Sequence, residues 1–102
     1  MVDLQPADLV LPIRMIIRDH AGEWLTPHDI WRELQRLAPE EAARVKAKVQ
    51  TYKDPERNSE VWFVSNTLSH LVRDSDEFEL SDVDHVPEMK GRAFWEIIRK
   101  RR

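Results

Sequence analysis

Residues 61–73, Val-Trp-Phe-Val-Ser-Asn-Thr-Leu-Ser-His-Leu-Val-Arg, hold the densest group of side chains able to make directed polar contacts. Trp62, Ser65, Asn66, Ser69, His70 and Arg73 recur at helical intervals and share one face. Hydroxyls, an amide, an imidazole and a guanidinium on such a face suit the edges of bases and phosphate oxygens. Asn66 is the residue type that pairs with adenine through two hydrogen bonds. The opposite face carries Val61, Val64, Leu68, Leu71 and Val72, a stripe built for burial. A solvated polar face on an ordinary amphipathic helix explains the same pattern, so the neighbouring elements must decide.

Other chemistries find less support. Glu88-Met89-Lys90, with Asp76, Asp82 or Asp84 upstream, mimics the D…ExK metal site of nucleases. That chemistry needs its carboxylates and lysine on adjacent core strands. Here they fall in a proline-containing loop with no flanking apolar strand residues. His20, His28, His70 and His85 have no metal-ligand spacing, and there is no cysteine to supply a thiolate or a disulfide. Ser65 or Ser69 beside His70 lacks a nucleophile elbow, and no glycine-rich phosphate loop is present. Catalysis, a metal and a cofactor are not expected.

At 102 residues, with 41% hydrophobic and 34% charged, the chain suits one globular domain. It has no signal-peptide pattern and no run long enough to span a bilayer, so a cytoplasmic location away from membranes is the expectation. The net charge of −3 is unevenly spread: residues 1–43 carry −4, 44–57 carry +3, 58–89 carry −7 and 90–102 carry +5. A polyanion would have to meet one of the two basic blocks. The first holds Arg44, Lys46, Lys48, Lys53 and Arg57; the second holds Lys90, Arg92, Arg99, Lys100, Arg101 and Arg102.

The elements that must position these residues follow from pattern. Residues 1–8 read as a poorly determined arm, with Pro6 and Asp8 offering a one-turn start. Pro12 to His20 reads as a first helix on Ile13, Ile16 and Ile17, closed by Ala21-Gly22. Glu23-Trp24-Leu25 is a short extended segment. Thr26-Pro27-His28-Asp29 is a helix start with an N-cap, a proline at the first position and an acid in the first turn. That second helix runs to about Leu37, burying Ile30, Trp31 and Leu34, with Leu37 completing the stripe. Residues 38–57 form an insertion, a short helix fraying through Tyr52 into a turn at Asp54-Pro55. Trp62 falls beside the buried stripe, where it would line this insertion, meet a second subunit or meet a base. The third helix begins between residues 55 and 60. Asp76 to Leu80 and Arg92 to Ile98 pair as an antiparallel hairpin around a loop at 81–91, one face covering the core.

This order is that of a winged helix, an α+β fold with a three-helix core, a helical insertion and a C-terminal hairpin wing. Val64 to Leu71 resembles the recognition helix of winged helix-turn-helix regulators of the MarR and PadR pattern. Leu25 to Ile30 resembles the start of their preceding helix, and Gly91 to Ile97 their wing-closing strand. A second likeness is to the N-terminal winged-helix domain of Mrr-type restriction proteins, through the insertion, Asn66 and the Gly91-Arg92…Trp95 strand. The resemblance implies binding to double-stranded DNA with helix 61–73 in the major groove and the wing on the backbone or minor groove. Base contacts then fall to Ser65, Asn66, Ser69 and His70. Phosphate contacts fall to Arg73, Lys90, Arg92 and the insertion residues Arg44, Lys46, Lys48, Lys53 and Arg57. Asp82, Asp84 and Glu88 in the wing depart from this pattern, since phosphate repels them. They point instead to a protein-interaction domain using Trp62 and the acidic wing. A homodimer also stays open.

Overall fold

The computed structural model describes residues 4–91 and 96–101. From Leu4 on, the chain before the first long helix is docked, and the one-turn start offered by Pro6 and Asp8 forms. A short 3-10 helix, Pro6–Leu9, leads directly into α1 (Val10–Asp19), and Leu4 and Leu9 are buried. Asp8 closes the entry by accepting from the Gln5 backbone N–H at 2.8 Å. The Pro6 carbonyl accepts from the Thr67 hydroxyl at 2.9 Å, which ties this segment to the longest helix. Pro12 therefore falls in the first turn of α1, where backbone N–H groups have no partner inside the helix. Ile13, Ile16 and Ile17 are buried as their spacing requires. Gly22, at φ +84°, makes the turn that follows.

Thr26 caps α2 (Pro27–Leu37) reciprocally: its hydroxyl accepts from Asp29 N–H and the Asp29 carboxylate accepts from Thr26 N–H, both at 3.0 Å. Ile30 and Leu34 are buried and Trp31 packs at the edge of the core. Leu37 does not complete the stripe. It is 49% exposed, because α3 (Pro39–Val49) turns off immediately at Ala38 and covers the core with Ala42, Val45 and Val49 instead. The insertion is thus a full second-layer helix, followed by a turn in which Asp54 accepts from the Arg57 backbone N–H at 3.1 Å.

Ser59 caps α4 (Glu60–Asp74), which buries Phe63, Val64, Thr67, Leu68 and Leu71. The buried arc is rotated from the expected stripe: Phe63 and Thr67 take the places expected of Val61 and Val72, which are half-buried. Thr67 is tolerated there because its hydroxyl donates to Pro6 O.

The chain then forms β1 (Phe78–Asp82) and β2 (Glu96–Lys100), antiparallel with Leu80 opposite Ile98. β1 lies two residues later than expected, and β2 ends two residues later. Part of the expected second strand, residues 92–95, lies outside the described residues. Leu25 bridges to the free side of Ile98 through hydrogen bonds of 2.8 and 2.9 Å, so β2 is flanked on both edges. The two strand faces are both covered. Ile98 joins the helical core, while Ile97 packs with Val86, Met89, Trp24 and Val83 in a second cluster. The 83–91 loop is therefore folded over the outer face of the sheet, its 3-10 helix Pro87–Met89 burying Met89. The result is an α+β structure with four α-helices and a two-stranded antiparallel pair. Its radius of gyration is 13.3 Å, close to the ~13 Å of a compact chain this long.

Candidate functional site

Among the described residues, α4 carries the expected polar side chains along a face that no other element covers fully. Trp62, Ser69 and Arg73 are exposed; Ser65, Asn66 and His70 are half-buried. They do not stand equivalently. Ser65 donates its hydroxyl to the Glu96 carboxylate of β2, so it is held toward the sheet. Arg73 donates to His70 Nδ1 at 2.7 Å, which holds the two side chains against each other. Arg73 also lies 3.5 Å from Asp74. Asn66 and Ser69 have no hydrogen-bond partner among the described residues, leaving them the readiest pair on this face.

The insertion meets the N-terminal end of the same face. Tyr52 packs edge-on against Trp62 with ring centroids 5.8 Å apart, and the Lys48 ammonium sits 5.8 Å from the Tyr52 ring centre. Arg57 lines a cleft beside Trp62. Of the three roles open to Trp62 from sequence, lining the insertion is the one seen. Arg44, Lys46 and Lys53 are exposed on or after α3, and Lys90 is exposed just past the Pro87–Met89 turn. Arg92 lies outside the described residues.

Two cations of the C-terminal basic block are committed to structure. Arg99 pairs with Glu79 directly across the hairpin and stacks 4.2 Å from the Trp24 ring centre. Arg101 donates to the Phe78 carbonyl at 3.3 Å. The carboxylates of the 81–91 loop make defined contacts. Asp82 accepts from His85 at 2.8 Å and from Asp84 N–H at 3.0 Å, and the His85 contact foremost holds its carboxyl below the usual range. Glu88 lines a cleft with Glu23, Asp29 and Glu33 on the far side of Trp24. No group of three or more carboxylate or imidazole side chains is placed to hold a metal among the described residues. No helix of the described residues is long and apolar enough to cross a membrane.

Sequence reasoning missed Glu96 and His28 as site residues. Both line the cleft beside Trp62, whose wall is completed by Pro27, Arg57, Ser59, Val61 and Ser65. Glu96 is 31 residues from Ser65 and carries no local motif, so only the closing of the sheet reveals the pair. Comparison with known proteins finds no matching family model, no matching curated protein and no matching solved structure.

Proposed function

We propose that this chain is a winged-helix domain that binds duplex DNA, as a transcriptional regulator or as the reader module of a restriction or defence protein. In this reading α4 enters the major groove and the 83–91 loop is the wing. One observation carries it. The uncommitted Asn66 and Ser69 lie on the open face of α4, and the insertion brings the cations Lys48 and Arg57 beside its first turns. Recognition helices read bases from their N-terminal turns, where flanking cations can hold the phosphates. The Leu25–Ile98 bridge supports the reading by joining the start of α2 to the hairpin, so helix and loop are held in one frame.

A fluorescence-anisotropy titration with mixed-sequence duplex over a salt series tests the proposal. Log affinity should fall linearly with log salt, with a slope of about −0.9 per phosphate neutralised. Absence of binding at about 50 mM salt, where backbone attraction is strong, would overturn it. At a selected site, Asn66→Ala should cost roughly 1–3 kcal/mol of discrimination if Asn66 pairs with adenine. Unchanged affinity would remove Asn66 from the base-reading set.

A protein-interaction domain is the second reading, favoured by the carboxylates of Glu23, Asp29, Glu33 and Glu88, which outnumber Arg32 and His20 around one cleft. Such a surface repels phosphate and suits a basic partner. A pull-down that recovers nucleic acid and no protein would count against it.

A further inference from the structure

The cleft beside Trp62 has a chemistry that duplex reading does not use. It measures about 310 Å³ and lies between the start of α2, the turn before α4, the first turns of α4 and β2. Its walls combine an aromatic plane, an anion and a cation. Trp62 is 40% exposed, and the edge-on contact with Tyr52 fixes its ring. Glu96 is held by the Ser65 hydroxyl, which occupies one oxygen and leaves the other available as an acceptor. The Arg57 guanidinium has no partner among the described residues; only its backbone N–H is engaged. Pro27 and His28 close the side toward α2.

We propose that this cleft binds a single guanine nucleotide. The volume lies at the small end of ligand sites, about 300–1,000 Å³, and suits one nucleotide better than a peptide segment. A flat base gains most against the part-exposed indole of Trp62. The carboxylate then chooses among bases. Guanine offers adjacent N1–H and N2–H donors to Glu96, whereas adenine presents the acceptor N1 and uracil flanks its single N–H with two carbonyls. Arg57 meets the phosphate. The nucleotide is either free or an unpaired guanosine within a strand, and the site does not require duplex binding.

The test follows the indole Nε1–H signal of Trp62 in a ¹⁵N-labelled sample, assigned by its loss in Trp62→Leu. Titration with GMP should shift that signal and saturate, with affinity roughly tenfold above that for AMP. Glu96→Gln should erase the preference for GMP over AMP, and Arg57→Ala should lower GMP to the affinity of guanosine. Arg57 is exposed, so that variant serves even where the Glu96 variant disturbs the sheet. No shift at about 10 mM GMP, or equal affinity for GMP and AMP, overturns the proposal. A hairpin oligonucleotide with one unpaired guanosine separates the sources: a shift with it identifies a strand, and a shift with GMP alone identifies a free nucleotide. Binding of paired duplex with no response to either guanine probe would sink this proposal while leaving the DNA reading intact. The reverse result would do the opposite.

Discussion

Charged side chains in this protein divide into those spent on holding elements together and those left for a partner. Arg18 of α1 pairs with Glu77, just before β1, through two contacts, the second at 2.8 Å. The hydrogen bond from Arg18 foremost holds the Glu77 carboxyl below its ordinary range; desolvation opposes it, and the charges of Arg18, Lys100 and Arg14 add to the lowering. A carboxyl depressed on folding contributes stability above its unfolded value, about 4.3, and loses it as pH falls through the lower folded value. The stability difference between the native chain and Glu77→Gln should therefore be present at neutral pH and shrink as the solution is acidified below that range. Chemical denaturation at a series of pH values measures it; a difference independent of pH would show that the pair does not form. Both partners are solvent-accessible, so the effect should be small and reduced by salt. Arg99 behaves likewise, committed to Glu79 and Trp24, although its sequence neighbourhood looks like a free basic tail.

At the scale of elements, local chemistry made α2 the most legible part of the chain. Thr26, Pro27 and Asp29 each prefer the place they occupy, and the reciprocal cap follows from types three residues apart. Thr26→Ala should cost about 0.5–2 kcal/mol, with Thr26→Ser recovering most of it, as read from denaturant midpoints at constant slope. The other end of α2 was not legible. Leu37 fits the apolar period, yet the immediate start of α3 gives its place in the core to Val45 and Val49. The α4 face was legible as a polar stripe but rotated in detail, since Thr67 is buried against the N-terminal segment with its hydroxyl shared between the Pro6 and Phe63 carbonyls. Strand positions were displaced because alternation alone admits more than one register. Ile97 and Ile98, adjacent and both buried, show a strand covered on two faces, which a one-sided pattern cannot anticipate.

The molecule as a whole is held by one core that draws on nearly its full length, from Leu4 to Ile98. The first turn of chain is part of that core. Leu9 is fully buried against helical neighbours, so Leu9→Ala should destabilise the whole chain by about 2–5 kcal/mol, seen as one cooperative loss in thermal and denaturant unfolding. Loss confined to the N-terminal segment would show instead that the arm is an appendage. The same connectedness sets the functional surface. Charge is sorted only in part: Arg57 and Lys48 of the insertion lie near the first turns of α4 with Glu96 in the same cleft, while Glu23, Asp29, Glu33 and Glu88 share the cleft beside Trp24 with Arg32.

The amino-acid sequence by itself determined what short-range physics can decide. Helical periods, a proline and a threonine at a helix start, and glycines at positive-φ turns specified α1, α2 and the polar face of α4. Tertiary structure alone decided which polar groups remain available. Ser65 is taken by Glu96, and Arg73 is held on His70, while Asn66 and Ser69 stay open. It also built the cleft of Trp62, Arg57 and Glu96 from three segments. The reason is range: a cap or a helical stripe is settled within a few residues, whereas hydrogen-bond partners and cavities depend on which distant segments the closed core brings together.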